Sequence, residues 1–287
     1  MPGHDEQRDD VHHFQDEVER LRKELDRLTP PLAMLLKRRG FRVYKKEPAA
    51  DLLLPAPEYL GKYYSLLHKY SFRLFLRDVI KHQEFFTAEQ LARYSTARTI
   101  RAYIAVLEEM GLAELRQGGY GLLAGPVKSF GTTLEWYVAE LLAREFGAEA
   151  IWGVKFRRPN VGGDYDVLAK LEGKLLYIEV KSSPPKQVYD SEVDAFLERV
   201  DDLAPETALF LMDTELRMKD KLAPMFEAAL ARRSPYPPPV VRIERELFGI
   251  DNRIFIVNAK ESILGNLARV VSESFRVIGA EAKRRSR

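Results

Sequence analysis

The residues of this chain best suited to chemistry are two carboxylates and an amine, Asp166, Glu179 and Lys181. They lie on two stretches, 165–171 and 174–181, whose Val, Ile, Leu and Tyr content is typical of β-strands. Paired carboxylates are ligands for a hard divalent cation such as Mg²⁺, and a lysine beside them can orient an attacking water or offset phosphate charge. The three residues therefore predict metal-assisted chemistry on a phosphate ester.

The turn between the two stretches sets which residues face each other. Glu172-Gly173 is typical of a tight turn, and an antiparallel hairpin centred on it places Asp166 opposite Glu179. Opposed residues share a face, with Cβ atoms about 4.5–5.5 Å apart. Two carboxylates at about 5 Å repel by about 3 kcal/mol at an effective dielectric constant of about 20. A bound cation offsets that repulsion; the alternative is a solvent-facing hairpin with salt bridges.

Asp166 followed by Glu179-Val180-Lys181 resembles the D…(D/E)xK signature of the PD-(D/E)xK nuclease superfamily. The segments GGDYDVLA and YIEVKS most resemble archaeal Holliday-junction resolvases and methylated-DNA-type restriction endonucleases, although Tyr165 stands where the signature has Pro. The resemblance implies a restriction-endonuclease-like core and hydrolysis of DNA with Mg²⁺, for which Mn²⁺ substitutes. It also implies that the Val180 carbonyl joins the metal ligands and that Lys181 positions the attacking water.

Three polar residues near the hairpin are predicted to support the site. The hairpin register places Asp164 opposite Lys181, where it would hold the amine. Ser182 begins the polar loop 182–187 that follows the lysine. Gln187 resembles the polar residue that some family members add after the lysine, and a loop amide with local hydrogen bonds is the alternative.

A third acid is predicted on the helix over 131–146 that precedes the hairpin. Glu140 has Arg144 at i+4 and is the solvated carboxylate, whereas Glu135 lies at the edge of the apolar stripe. The Gly-x-x-x-Glu pattern ahead of the first strand also resembles the first-helix acid of the resolvase-like nucleases. Glu135 is therefore predicted as a catalytic metal ligand, and a salt bridge at the helix edge is the alternative.

The strand predicted over 150–158 ends in cations. Lys155, Arg157 and Arg158 stand beside the loop 159–163. They are predicted to receive the DNA backbone, or else to cap a charged sheet edge.

The region 58–123 has the pattern of several short helices followed by a hairpin, which resembles a winged-helix domain. Helices are predicted over about 58–69, 71–82, 87–94 and 96–110, the last ending at Gly111. The final helix corresponds to the recognition helix of a winged-helix domain. Four residues near its start are predicted to point outward and contact DNA, Thr96, Arg98, Thr99 and Arg101. A module for helix packing or dimerisation is the alternative.

The N-terminal residues 11–28 have the spacing of a coiled-coil seam. Apolar residues recur at alternating intervals of four and three, at Phe14, Val18, Leu21, Leu25 and Leu28. The seam spans about two heptads, so it predicts either a homodimer or a helix that packs on its own chain.

Composition excludes several classes of protein. No apolar run approaches the length of a membrane span, and the first residues are acidic and polar, so neither a membrane helix nor a secretory signal is predicted. The absence of cysteine excludes disulfides and thiolate metal sites and fits a cytoplasmic location. A net charge of +2 is too small to indicate nucleic acid by itself.

The remaining elements complete an α/β (α+β) prediction. Helices are expected over 188–201, 215–231 and 261–282, and strands over 207–212, 240–244 and near 254–257. The predicted domains are an arm and linker over 1–56, a winged-helix-like DNA-binding domain over 57–125, and a nuclease-like mixed sheet flanked by helices over 126–287. The basic residues 283–287 are expected to add weak affinity for DNA.

The sequence thus predicts a metal-dependent DNA endonuclease of structure-specific, restriction or repair type. Two other functions stay open. A DNA-binding regulator or scaffold whose nuclease-like domain is catalytically silent is one, and a nuclease of RNA is the other, because metal-dependent hydrolysis does not choose between the two nucleic acids.

Overall fold

The computed structural model describes residues 4–46, 51–92, 95–123, 125–157 and 161–285. No helix in these ranges has both the length and the apolar character to cross a membrane. The strands are β1 (Val43–Lys46), β2 (Ala113–Arg116), β3 (Gly119–Leu122), β4 (Glu149–Phe156), β5 (Tyr165–Leu171), β6 (Lys174–Lys181), β7 (Thr207–Met212), β8 (Val240–Glu244), β9 (Leu247–Ile250) and β10 (Ile254–Asn258). The α-helices are α1 (His4–Leu28), α2 (Leu32–Arg38), α3 (Leu60–Leu67), α4 (Tyr70–Lys81), α5 (Ala88–Leu91), α6 (Ala97–Glu109), α7 (Phe130–Phe146), α8 (Asp190–Leu203), α9 (Leu222–Arg233) and α10 (Ile263–Arg285).

One large sheet of eight strands organises the chain, in the order β1-β4-β5-β6-β7-β10-β9-β8. The three central strands β6, β7 and β10 are parallel, and the flanking strands are antiparallel to their neighbours. Helix α7 packs on one face, and α8 and α9 pack on the other. Because both faces are covered, β7 is buried along its whole length. The predicted class, α/β (α+β) with a mixed sheet flanked by helices, is confirmed.

The hairpin β5–β6 forms around the predicted turn. Glu172 and Gly173 both have positive φ, 49° and 75°, which is the conformation that closes a two-residue hairpin without splaying its strands. Pairing runs outward from this turn to Val167 opposite Ile178. The predicted register is therefore confirmed over these pairs, and Asp166 and Glu179 come one step beyond the last of them.

The segment from α3 to β3 has the predicted order of helices followed by a hairpin. Thr96 caps α6 by accepting a hydrogen bond from the Thr99 amide (3.2 Å), and Gly111 ends that helix with a φ of +65°. Phe86 forms a bridge with Tyr120 of β3. The apolar side chains of this segment are continuous with the core on the α7 face of the sheet. Its assignment as a winged-helix domain stays a prediction.

Part of the predicted N-terminal arm belongs to the large sheet. Strand β1 pairs with β4 at the sheet edge, and Leu32, Leu36 and Phe41 pack into the core on the α8 face. The Glu149 carboxylate of β4 accepts a hydrogen bond from the Leu32 amide (2.7 Å). Strand β1 was not predicted, because four residues are too few to establish an alternating pattern.

Helix α1 carries the predicted seam on a surface that is exposed in the single chain. Four of its apolar side chains are 46% to 82% exposed, namely Val18, Leu21, Leu25 and Leu28. Exposed apolar stripes of this kind mark interaction surfaces. The pairing of two subunits through α1 stays a prediction.

A chain that begins at Thr29 is expected to have monomer mass in light scattering if the full-length chain has dimer mass. This start retains Pro30, whose carbonyl accepts a hydrogen bond from Lys170 (3.0 Å), so the sheet keeps its contact. Full-length protein with Leu21→Lys and Leu25→Lys should also be monomeric, because charges on the seam repel across it. Arg22→Ala, which leaves the seam intact, is the control. A dimer that survives both seam changes would place the interface elsewhere.

Two elements differ from the sequence-based prediction. Helix α9 begins at Leu222 rather than near 215, because Pro224 is tolerated in the first turn of a helix but not in its interior. Strand β9 was not predicted because the turn that joins it to β8 contains no Gly, Asn or Asp. Arg245 adopts the positive φ of that turn, 44°, without a residue type that signals it.

Candidate active site

Glu179 lies on the face of the sheet that α8 covers, and Asp166 lies close enough for the two carboxylates to interact electrostatically. Glu179 is buried, with 2% exposure, and Asp166 is half-buried. The Asp166 carboxylate accepts a hydrogen bond from the Val180 amide (2.7 Å). The hairpin therefore holds one acid of the signature directly against the backbone that carries the other.

Glu179 is surrounded by donors. Its Oε2 accepts a hydrogen bond from Arg199 Nη2 (2.8 Å) and another from the Tyr177 hydroxyl, and its Oε1 pairs with Lys181 Nζ (2.9 Å). Burial by itself raises the pKa of Glu179, but Arg199, Lys181 and Tyr177 outweigh that effect and hold the pKa below its ordinary value. Glu179 is therefore an ionised carboxylate in the folded protein.

Lys181 is held by two carboxylates, Glu179 and Glu192 of α8 (3.1 Å). Burial lowers the pKa of Lys181, but Glu179, Asp166 and Glu192 outweigh it, and the pKa lies above its ordinary value. The predicted partner, Asp164, instead pairs with Lys155 (2.8 Å). The prediction that Asp164 holds Lys181 was wrong because β4 offers a cation on the outer side of β5, whereas α8 brings Glu192 to the lysine.

Of Asp166, Glu179 and Lys181, Asp166 has the environment least favourable to its charged form. Burial raises the pKa of Asp166 well above its usual range, and the charges of Glu179 and Glu135 raise it further. The Val180 amide and Lys181 oppose these effects only in part. Glu135 of α7 is half-buried and its charge acts on Asp166, as its predicted role requires.

A hard cation fits the donors present at Asp166 and Glu179. A carboxylate offers about four lone-pair sites, so Glu179 can accept a further partner besides Arg199, Tyr177 and Lys181. A cation beside Asp166 would relieve the repulsion that raises its pKa. Within the described ranges, no group of three or more acidic or histidine side chains is arranged to hold a metal ion. The ligand roles of Glu135 and of the Val180 carbonyl, and the identity of the metal, stay predictions.

Sequence analysis missed three residues of this site, Tyr177, Glu192 and Arg199. Arg199 is buried on the apolar face of α8, where it donates to the Tyr177 hydroxyl (2.7 Å) as well as to Glu179. The sequence contained a signal for Arg199, because an arginine three residues after Phe196 lies on the inward face of an amphipathic helix and needs a buried acceptor.

The predicted DNA contacts of the first sheet strand are only partly available. Lys155 is engaged by Asp164. Arg157 is exposed and lies over the Tyr44 ring, with its guanidinium carbon 5.8 Å from the ring centroid. Arg158 lies outside the described residues. The role of these cations in DNA binding stays a prediction.

The predicted recognition helix begins as the sequence indicated. Arg98 and Arg101 are exposed, and Arg101 pairs with the exposed Glu89 (3.2 Å). Thr96 and Thr99 are hydrogen bonded to each other as the helix cap. The two arginines are thus accessible for phosphate, while the threonines already have a structural role.

Replacing Arg98 and Arg101 together with alanine should weaken binding to duplex DNA. Each lost phosphate contact lowers the slope of log K against log salt by about 0.9 in magnitude. The measurement is a salt titration of DNA binding by fluorescence anisotropy. The double variant Arg22→Ala and Arg38→Ala, which removes two exposed arginines from α1 and α2, is the matched control. An unchanged salt slope in the α6 variant would remove α6 from the DNA interface.

A large cavity of about 990 Å³ lies beside the hairpin site. Its walls come from α4, from the start of α7, and from the loops that follow β6 and β7. The predicted supporting residues Ser182 and Gln187 both line it. Gln187 is exposed, and the hydrogen bonds described for the Glu179 carboxylate are made by other residues.

A buried ion cluster joins the helical segment to the sheet next to this cavity. Asp213 follows β7 directly and is fully buried, as is Arg73 of α4, whose Nε donates to it (2.9 Å). Arg77, one turn later, donates to the Asp213 carbonyl (2.8 Å) and to its carboxylate. The Asp213 amide in turn donates to the Lys181 carbonyl (2.8 Å). The cluster therefore connects α4 to the strand end that carries the lysine.

Comparisons with known proteins give only distant similarities. No protein-family model matches this chain, and no curated protein matches it. One solved structure that matches is Can2 from Sulfobacillus thermosulfidooxidans in complex with cyclic tetra-adenylate, with a TM-score of 0.45 and 13% identity over 84% of this chain. Another is protein VC1899 from Vibrio cholerae, with a TM-score of 0.41 and 19% identity over 64% of this chain. The alignments span 60% and 52% of those two chains, and likeness at this level carries no argument about function.

Proposed function

We propose that this protein is a Mg²⁺-dependent nuclease that hydrolyses phosphodiester bonds of DNA, with Mn²⁺ able to replace Mg²⁺. The observation that carries the proposal is the meeting of Asp166, Glu179 and Lys181 at one site, with the charge of Glu135 in reach. These are the acid, acid and amine of the nuclease signature, and their repulsion favours a cation.

The residues divide the chemistry between them. A bound metal ion would lower the pKa of a water molecule and offset the charge that develops on the phosphate. Asp166, Glu179 and Glu135 would hold that ion. Lys181, which its carboxylate partners keep protonated, would donate to the attacking water or to a phosphate oxygen rather than act as the base. Arg199 keeps Glu179 ionised and oriented.

The helical segment from α3 to β3 would bring DNA to the site as a winged-helix-like module. Residues that support this role are the two exposed arginines of α6 and the exposed cation after β4. An endonuclease of structure-specific, restriction or repair type is the finer assignment that the resemblance favours, and pairing of two subunits through α1 would let two strands be cut.

A DNA-binding regulator or scaffold without turnover is the second candidate. The observation that favours it is the charge balance of Glu179, which Arg199 and Lys181 already neutralise at 2.8 and 2.9 Å. In that case the hairpin acids would have a structural role, and a divalent cation would have no effect on stability.

The test is a cleavage assay with Mg²⁺ or Mn²⁺ on linear, supercoiled, single-stranded and branched DNA, and on RNA. We expect cleavage of at least one DNA substrate with either metal and none with EDTA. Cleavage of RNA alone would make the protein an RNA nuclease. Binding of DNA without cleavage under every metal condition would favour the regulator.

A further inference from the structure

The cavity beside the hairpin is a feature of the molecule that the proposed chemistry does not use. Ser182 and Ser183, which line it, follow Lys181 directly in the chain, so the cavity adjoins the proposed active site. Its volume of about 990 Å³ is at the upper end of the range of about 300–1,000 Å³ for sites that enclose a small ligand. One or a few nucleotides fit such a space, whereas a double helix is too wide to enter it.

One wall of the cavity is apolar and partly aromatic. Among the lining residues Tyr70 is half-buried, Phe130 is buried, and Leu216 has 58% of its surface exposed. An exposed leucine and a partly accessible aromatic ring in one cavity are suited to the flat face of an unpaired base, because bases stack on aromatic side chains with little regard to sequence.

Three cations line the same cavity, Arg77, Lys81 and Lys128. Two acids of the lining, Asp78 and Glu215, offset them in part, and Lys128 and Arg77 also pair with Asp51 and Asp213. Lys81 is exposed at the end of α4, and Lys128 is exposed just before α7. Cations at an opening whose interior is aromatic are typical of sites that follow a nucleic-acid backbone while its bases turn inward.

Arg77 supplies a donor that lacks an acceptor. Its Nη2 is used by Asp213, but its Nε is the one buried side-chain nitrogen or oxygen without a hydrogen-bond partner in the described part of the chain. A buried donor left unpaired is costly. The Nε atom itself is closed to solvent, so what Arg77 offers a ligand in the cavity is the positive charge of a side chain that is 19% exposed.

We infer that the cavity binds an unpaired segment of the nucleic-acid strand next to the bond to be cut, so that the substrate is single-stranded or locally unpaired. A base lies against Tyr70 and Leu216, and the phosphates lie toward Arg77, Lys81 and Lys128. The inference rests on the proposed nuclease function for its consequence in cleavage, but the binding it describes is measured without catalysis.

The test is fluorescence anisotropy in EDTA with a labelled single-stranded oligothymidylate, the corresponding RNA, and a blunt duplex of equal length. Single strands should bind more tightly than the duplex. Tyr70→Leu should weaken single-strand binding roughly tenfold because base stacking is lost. Leu216→Glu, at an exposed position that does not affect folding, should weaken it by repulsion of phosphate. Lys81→Ala should weaken it and lower its salt dependence.

Lys37→Ala on α2, an exposed lysine outside the cavity, is the matched control and should bind like the parent. Equal or tighter binding of the duplex by the parent would overturn the inference, and so would unchanged single-strand affinity in Leu216→Glu and Lys81→Ala. If single strands bind as described but no substrate is cut with Mg²⁺, the cavity assignment stands and the nuclease proposal fails.

Discussion

Replacing Asp166 with asparagine is expected to reduce phosphodiester cleavage to background while the metal-free protein becomes as stable as the parent or more stable. Asparagine keeps the volume and removes the charge that Glu179 and Glu135 repel. Each unit by which folding raises a carboxyl pKa costs about 1.4 kcal/mol of stability once the pH exceeds both values. The measurements are a cleavage assay and thermal melts with and without Mg²⁺.

The pH dependence of these melts tests whether folding raises the pKa of Asp166. The folded-state pKa of Asp166 is above its unfolded value, so the native state binds the proton more tightly, and the parent should lose stability as pH rises from about 4 through the raised pKa. Asp166→Asn should lack this loss. Added Mg²⁺ should raise the Tm of the parent by mass action and that of the variant much less.

Asp164→Asn is the matched control, since Asp164 pairs with Lys155 rather than with Lys181. It should keep cleavage and the response to Mg²⁺. A metal-free Asp166→Asn protein that is less stable than the parent, together with no Mg²⁺ response in the parent, would show that Asp166 serves a salt bridge instead of a metal ion.

Replacing Asp213 with alanine should destabilise the protein by about 3–5 kcal/mol, because it leaves the guanidinium of Arg73 buried without its counter-charge. Both side chains are at most 1% exposed. The measurement is chemical denaturation of the parent and the variant. The double variant Arg73→Met and Asp213→Leu should recover part of the loss, since the fully buried charge of Arg73 is then removed together with that of Asp213 and only the partly exposed Arg77 loses a carboxylate partner.

Lys62→Ala provides the comparison for Asp213→Ala. It breaks an ion pair with Glu109 of similar length (2.6 Å) in which both side chains are about half exposed. Such pairs contribute about 0–1 kcal/mol. A loss for Asp213→Ala no larger than that for Lys62→Ala would mean that water reaches the cluster.

The hairpin could be predicted from sequence because its information is local. A two-residue turn and a period of two fix the register from Leu171 opposite Lys174 to Val167 opposite Ile178, one step short of Asp166 and Glu179, without knowledge of any other element. The inward face of α6 and the buried strand β7 were predictable for the same reason, since periodicity or a continuous apolar run identified each.

The partners of the site acids were not predictable in this way. Arg199 meets Glu179, and Arg73 meets Asp213, only after helices far apart in sequence pack on the sheet. The sequence did contain a signal for each arginine, because an arginine within the apolar face of a helix requires a buried acceptor. The sequence did not identify which residue is that acceptor. Asp164 is the opposite case, because the register of the hairpin predicted a partner, Lys181, but the packed structure gives Asp164 a different one, Lys155.

Strand β1 has a practical consequence for any shortened form of this protein. It covers the outer edge of β4, and the aromatic contact between Phe41 and Phe156, with ring centroids 4.9 Å apart, closes the same edge. A fragment trimmed at residue 56 would leave the long β4 with a row of unpaired backbone groups. Exposed edges of this kind recruit strands from other molecules. Such a fragment should aggregate during expression, whereas one that begins at Thr29 should stay dispersed.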